Sequence, residues 1–395
     1  MRILFYLFQN INRQSGVFGG IERHTLVLIN GLKRFGYEFF FSYSHDDDTP
    51  APGGDDGLRI RRSTGAGEIR KYLLEKKIDI VHIQQSDGDE IQRFREAADG
   101  TSIRILATYH FQPGYELMDL AVHNILVRLS EEKGIGRKIK WTKRLALLPY
   151  YRIKKTRQMK NKFSRLLGCC DALVFLCPEY ITLFNSYLGN MPATAGETFI
   201  CNCTSFSRYA TEDDILKKSK TVLVVARLEE HYKRISLAIR LWEKLTETGR
   251  FDDWSMVIVG DGYSKNQYEK MARSLPRISF EGRQDPVSYY QKAAIYLNTS
   301  ISEGLSLCCI EAMQFGVVPF SFDTWSAVFS LIDSGENGFI IHEGNMESYL
   351  EKLAETMTSH ELRQRLARAA VEKSKLFSQE KMVEKYRACY ETLHE

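Results

Sequence analysis

Twelve short apolar runs, separated by stretches of helical periodicity, constrain this chain more than anything else in it. They fall at 3–7, 38–42, 80–83, 103–108, 172–176 and 198–201, then at 222–225, 256–259, 278–281, 295–297, 318–321 and 339–341. Strand-length runs alternating with helices are the mark of an α/β fold with parallel sheets. The helices between them include 21–35, where Leu26, Ile29 and Leu32 recur one turn apart and Gly36 closes the end. Another is 235–245, with Ala238, Ile239 and Trp242 on one side. At 395 residues two domains are expected, each able to bury its own core. The pattern's first repeat ends in polar residues at 202–214, which places the domains at 1–205 and 206–377. Residues 378–395 follow a break at Phe377 and read as a last helix, and 46–57 as an exposed loop.

The apolar N-terminus has the look of a short signal peptide. It reads better as the first strand, because Gln9 and Asn10 end it early and no small-residue cleavage site follows. No apolar run reaches the 18 or so residues of a membrane span, so a cytoplasmic protein is expected. The eight cysteines include the adjacent pairs Cys169-Cys170 and Cys308-Cys309, but no Cys-x2-Cys spacing of a structural zinc site. Buried, reduced thiols are expected.

The formal net charge of +4 is uneven. From Lys133 to Arg165 there are 13 Lys or Arg and no acid, which leaves the rest of the chain at −9. Ile135, Ile139, Trp141, Leu145, Tyr150, Tyr151 and Ile153 are interleaved. A plain solvated helix is one reading. The absence of acids, together with Trp and Tyr, favours docking on an anionic membrane surface. Nucleic acid is not expected, since the remaining chain is acidic and carries no nucleic-acid motif.

Residues 302–316 read Ser-Glu-Gly-Leu-Ser-Leu-Cys-Cys-Ile-Glu-Ala-Met-Gln-Phe-Gly. Gly316 and Pro319 end an apolar helix that carries Glu311, and a loop with Glu303 and Gly304 feeds its start. Amides near Gly304, Leu305 and Ser306 suit an anion, and a carboxylate on each side suits hydroxyls. The simpler alternative is one Glu capping the helix and another exposed on its first turn. The segment resembles the E-x7-E signature of the retaining, GT-B fold glycosyltransferases of family 4, the group 1 transferases. Asp333-Ser334-Gly335-Glu336-Asn337-Gly338-Phe339, further on, fits the same family.

That resemblance implies two Rossmann-like domains whose parallel sheets face across a cleft, the C-terminal helix crossing back to the first. It implies Glu311 on the ribose hydroxyls, Glu303 on the transferred sugar, and Gly304 and Leu305 against phosphate. Arg227-Leu228 and Lys233 resemble the family's diphosphate clamp, with one residue more than the commonest spacing and with Arg234 as a substitute for Lys233. The other reading of this stretch is a surface Arg and Lys paired with Glu229 and Glu230. Two cations at a strand's C-terminal end are placed to neutralise a departing diphosphate. Gly260, in Val259-Gly260-Asp261-Gly262, resembles one wall of the nucleotide pocket, and Gly282 and Arg283 resemble the loop that reads the base.

In the first domain, Gly19 and Gly20 open a helix and resemble the family's glycine loop over the diphosphate. The alternative there is a tight turn. His110, just past a strand end, takes the place where the family often sets a histidine near the reacting sugar. Cys203 stands where the family often has the glycine of a hinge. Asp46-Asp47-Asp48 and Asp87-Gly88-Asp89 contain Asp-x-Asp, the metal motif of the other major transferase fold, without that fold's surroundings. No metal and no cofactor are expected, the nucleotide-sugar being a co-substrate.

The function so implied is retaining transfer of a hexose or N-acetylhexosamine from a nucleotide-sugar to a glycan acceptor. The acceptor is expected on a polyprenyl diphosphate, in bacterial surface polysaccharide assembly, with the protein peripheral at the inner face of the cell membrane. Ser321-Phe322-Asp323-Thr324 leans toward UDP-sugars. GDP-mannose transfer and a non-catalytic nucleotide-sugar-binding subunit are the alternatives.

Overall fold

The apolar run after Met1 forms β1 (Arg2–Leu7), buried from Ile3 onward, in a sheet that is parallel throughout. The structure, a computed structural model, describes residues 1–7, 20–44, 57–61, 63–84, 90–131, 134–189, 195–204 and 206–395. Two units result, Met1–Gly114 with Ile153–Ser205 and Gln379–Glu395, and Tyr115–Arg152 with Phe206–Ser378.

In the first unit, β1 is joined by β2 (Glu38–Ser44), β3 (Leu58–Ile60), β4 (Ile80–Ile83), β5 (Arg104–Tyr109), β6 (Ala172–Phe175) and β7 (Gly196–Phe199), in the order β3-β2-β1-β4-β5-β6-β7. Strands β4, β5 and β6 are buried almost end to end, as expected where helices cover both faces. The helix Gly20–Lys33 buries Leu28, Ile29 and Leu32 against the C-terminal helix Gln379–His394, which contributes Met382, Val383, Tyr386 and Tyr390 to the same core. Gln379 Nε2 also donates to the Thr204 carbonyl.

In the second unit, β8 (Thr221–Val225), β9 (Ser255–Val259), β10 (Ile278–Gly282), β11 (Ile295–Asn298), β12 (Val318–Phe322) and β13 (Phe339–Ile341) form a parallel sheet ordered β10-β9-β8-β11-β12-β13. The helix Ile235–Thr246 packs Ile235, Ala238, Ile239, Trp242 and Leu245 into its core, and Trp242 Nε1 donates to the Pro276 carbonyl. Gly316 ends the helix Leu307–Gln314 at φ 68, in the left-handed region that glycine enters without a Cβ penalty.

In each sheet the strand order reverses once, between β1 and β4 and between β8 and β11. Open α/β sheets bind ligands beyond the carboxyl ends of the strands at such a reversal.

Three differences from the sequence reading stand out. Strand β3 is only three residues long, too short to register as an apolar run. Strand β7 begins at Gly196, two residues before the run assigned to it. Residues 115–152, read with the first domain, group with the second unit: the helix Val122–Glu131 packs on the turn Glu230–Lys233, and Asp119 faces Tyr232.

Candidate functional site

The loop after β8 and the loop after β11 meet at the reversal of the second sheet. Lys233 Nζ donates to Glu303 Oε1 at 2.7 Å, and Ser300 Oγ donates to the same oxygen at 2.7 Å. Both side chains of the pair are largely withdrawn from solvent, 17% and 13% exposed. The backbone fixes their approach: Thr299 Oγ1 donates to the Lys233 carbonyl and the Ile301 amide to that of Tyr232, each at 2.8 Å. Arg227, by contrast, extends into solvent at 73% exposure, with Nη1 donating to Glu229 Oε1 at 3.2 Å.

Glu230, one residue on, is a core group. It is buried and accepts from Ser236 Oγ, the Ser236 amide and Tyr268 OH. Of the alternative reading, a surface Arg and Lys paired with Glu229 and Glu230, the Arg227–Glu229 pair is present, whereas Lys233 pairs with Glu303 and Glu230 is buried against Ser236 and Tyr268. Arg234, kept in the sequence as a substitute for Lys233, is committed elsewhere, to the Thr299 carbonyl and Glu343.

Ser306 precedes the helix Leu307–Gln314 in an extended conformation, and its side chain makes no cap. Its Oγ instead accepts from Asn298 Nδ2 at 3.2 Å, and Leu305 is buried beside it. The helix thus starts without a serine cap, while the Cys309 amide turns back to the Ser306 carbonyl at 3.1 Å, and an uncapped helix start suits an anion. Glu311, on the helix, is 2% exposed, and its Oε2 accepts from Tyr290 OH at 3.2 Å. Burial, helped by Glu311, raises the Cys308 thiol to about 12, so it stays protonated near neutrality.

Gly260 (φ 144) lies where β8 and β9 run out, and a Cβ there would overlap the Ala226 carbonyl. Its amide donates to the Gly282 carbonyl at 2.7 Å, and the Leu228 amide to that of Asp261 at 3.0 Å. The Arg227 loop, the Gly260 turn and Gly282 are therefore one laced surface, with Arg283 exposed next to it.

In the first unit, Gly19 lies outside the described residues, and Gly20 begins the helix Gly20–Lys33. His110 follows β5, is buried, and places Nε2 2.5 Å from Gln84 Oε1. With Gln84 presenting its amide oxygen, Nε2 carries the proton and Nδ1 is left an acceptor with no hydrogen-bond partner among the described residues. Burial, then the neighbouring His24 and His82, holds the imidazole well below its ordinary 6.5, so it is neutral. His24, 5.6 Å away centroid to centroid, is pushed down to about 4 by burial. Behind them His82 bridges Tyr390 OH and Thr108 Oγ1, tying the C-terminal helix to β4 and β5. No sequence pattern signals this cluster, because its members come from four separated segments.

All eight cysteines are free, Cys203 among them and buried. Among the described residues no group of three or more His, Cys, Asp or Glu is placed to hold a metal ion. Residues 46–48 and 87–89 lie outside those residues. No described helix is long and apolar enough to cross a membrane. The helix Ile135–Ala146 buries only Trp141 and exposes Ile135 (79%) and Ile139 (62%) among five cations. Lys133 lies outside the described residues.

Residues 208–373 match the family model of glycosyl transferases group 1. An uncharacterized glycosyltransferase of Haemophilus influenzae is 31% identical over 172 residues, 42% of this chain and 47% of that protein. The GalNAc-alpha-(1->4)-GalNAc-alpha-(1->3)-diNAcBac-PP-undecaprenol alpha-1,4-N-acetyl-D-galactosaminyltransferase of Campylobacter jejuni is 25% identical over 210 residues, 53% of this chain and 56% of that protein. The chain thus spans about half the length of the curated relatives it matches. Among solved structures, the sucrose-phosphate synthase of Thermosynechococcus elongatus superposes with a TM-score of 0.74 at 13% identity, over 99% of this chain and 98% of its own. The pneumococcal O-GlcNAc transferase GtfA, in complex with UDP and GlcNAc, gives 0.68 at 11% identity over 100% and 99%. Both units carry the all-parallel, Rossmann-like sheets of the GT-B fold of glycosyltransferases, and residues 208–373, within the second unit, are similar in sequence to the group 1 glycosyl transferases.

Proposed function

We propose that this protein is a glycosyltransferase that moves a hexose or N-acetylhexosamine from a UDP-sugar to a glycan acceptor, with retention at the anomeric carbon. The observation that carries the reading is the Lys233–Glu303 pair at the sheet reversal, beside the uncapped start of the helix Leu307–Gln314. Lys233, Arg227 and the first-turn amides draw the diphosphate away as charge develops on it, which is where electrostatic stabilisation acts. Glu303, held by Lys233 and Ser300, is placed to accept hydroxyls of the transferred sugar. Glu311 is assigned to the ribose, and Gly260, Gly282 and Arg283 to the base side, as the family resemblance implies. Retention rests on that resemblance, with a phosphate oxygen taking the acceptor's proton. In the first unit, the neutral His110 is assigned a hydrogen bond to a sugar hydroxyl through its Nδ1.

The cationic groups already supply countercharge, so transfer is proposed to need no divalent metal and to survive EDTA. UDP is favoured by structural relatives solved in complex with it, among them GtfA, the Anabaena protein HepE and TarM of S. aureus. The acceptor is proposed to be lipid-linked, as in bacterial surface polysaccharide assembly. The Campylobacter relative's name includes an undecaprenol diphosphate, and the cationic helix Ile135–Ala146 carries bare isoleucines suited to an anionic membrane. On this reading the protein works peripherally at the inner face of the cell membrane.

A thermal-shift series against UDP, GDP, ADP and their sugar conjugates tests the donor, because a ligand bound only by the folded state raises its apparent stability. A shift with UDP alone is expected, followed by acceptor-dependent UDP release that EDTA leaves intact. A shift with GDP alone would move the donor to GDP-mannose. Nucleotide binding without turnover on any lipid-linked acceptor would make the chain a binding subunit.

A further inference from the structure

Three unfavourable features coincide at Arg234. The backbone there is left-handed, φ 47 and ψ 45, between the turn Glu230–Lys233 and the helix Ile235–Thr246. Side chains other than Gly, Asn and Asp disfavour that region. The guanidinium is buried at 7% exposure, and its Nη2 has no hydrogen-bond partner among the described residues. The other two described non-glycine residues with positive φ, Lys77 and Arg277, are both exposed. Strain combined with an incompletely satisfied buried charge persists only where the surroundings impose it, and such positions gather at functional sites.

What the side chain does there is specific. Nε donates to the Thr299 carbonyl at 3.0 Å, Nη1 donates to Glu343 Oε1 at 2.5 Å, and the group lies 5.7 Å over the Phe322 ring. Thr299 returns a bond through Oγ1 to the carbonyl of Lys233. Arg234 therefore grips, from the left-handed corner, the segment that delivers Ser300 and Glu303, while the same corner presents Lys233. The Ser300 carbonyl is pinned from the other side by Thr324 Oγ1 at 2.6 Å.

We infer that Arg234 is a positioning residue: by holding the Thr299 carbonyl it sets the distance and direction at which Lys233 meets Glu303. A glycine at this corner would relax the backbone and still lose the grip. A lysine would keep the strain and the charge, and its single ammonium could not serve the Thr299 carbonyl and Glu343 in the fork geometry of a guanidinium. The effect on turnover rests on the transferase reading; the effect on the ion pair does not.

The test therefore has two readouts on wild type, Arg234→Gly and Arg234→Lys, each checked for folding by its melting temperature. The first is reductive methylation of the protein without substrate, read at Lys233 by mass spectrometry against an exposed lysine such as Lys140. Loosening the pair should raise Lys233 labelling about fivefold in R234G and less in R234K, because an ammonium held by charge-assisted bonds reacts slowly. The second is steady-state transfer, where kcat should fall about 10-fold or more with little change in donor KM, as misplacement of a group by a fraction of an ångström does. Labelling and kcat of R234G both within about twofold of wild type, which misplacement on this scale would not permit, overturn the inference. If R234G does not fold, R234K decides by the same criteria. If wild type neither binds a nucleotide nor transfers a sugar, it is the transferase reading that fails, and the labelling alone decides the role of Arg234.

Discussion

At the residue scale, two cations assigned the same task have opposite structural settings. Arg227 stands in solvent with one loose acid partner, whereas Lys233 is tucked against Glu303 and largely withdrawn from solvent. Their alanine variants should separate accordingly. Arg227→Ala should leave the melting temperature nearly unchanged, since exposed pairs contribute at most about 1 kcal/mol. Its turnover should fall about 10²-fold, the scale of losing one preorganised electrostatic group. Lys233→Ala should lose turnover and also stability, about 2–3 kcal/mol, because it strands a largely buried carboxylate. Adding Glu303→Ala should restore much of that stability and none of the turnover. A double variant as unstable as Lys233→Ala alone would mean the pair is not coupled. The sequence named all three residues by motif, but burial separates them, and motif spacing carries no information on exposure.

At the scale of elements, the described part of the cationic run resolves into helices, and the helix Ile135–Ala146 hides a single residue, Trp141, under the guanidinium groups of Arg128 and Arg144. A helix that exposes Ile135 and Ile139 among five cations should bind phosphatidylglycerol vesicles, weaken with added salt, and ignore phosphatidylcholine. Replacing Ile135 and Ile139 together by Asp should weaken vesicle binding about 10-fold or more, since each exposed isoleucine would bury roughly 1.5–3 kcal/mol of side chain. Equal binding to neutral vesicles, or no effect of the double change, would remove the membrane from this account. Eleven of the twelve apolar runs coincide closely with strands, since a strand buried on both faces must be apolar along its length. Strand β3 and the offset of β7 escaped for the converse reason: at a sheet's edges burial is partial, as in β7, or the run is too short, as in β3.

At the scale of the whole molecule, the buried imidazoles of the first unit set its response to acid. Above pH 6.5 folded and unfolded chains both hold neutral histidine. As pH falls below 6.5 the unfolded chain takes up protons that the folded chain, with His24 at about 4 and His82 and His110 well below their usual value, does not. Stability should therefore drop between pH 6.5 and 4, by about 3 kcal/mol from His24 alone at 1.36 kcal/mol per unit. Urea midpoints at pH 7, 6, 5 and 4.5 would show it, and a His24→Asn variant should have a shallower dependence. A midpoint independent of pH over that range would mean these rings are not buried neutral in solution.

By itself, then, the sequence determined the α/β class, the parallel sheets and the candidate site on the second unit. Strand runs, glycine turns and the Glu303-to-Glu311 helix are local patterns, written in contiguous residues by backbone geometry and the cost of exposing apolar surface. Tertiary structure alone decided which charges are buried and which are bare. It turned Glu230 into a core acid, bent Arg234 into a left-handed corner over Phe322, and gathered His24, His82 and His110 around the C-terminal helix. These outcomes depend on which groups the fold brings into contact and withdraws from water, the conditions under which hydrogen bonds act and charges are desolvated, and contiguous sequence does not encode them.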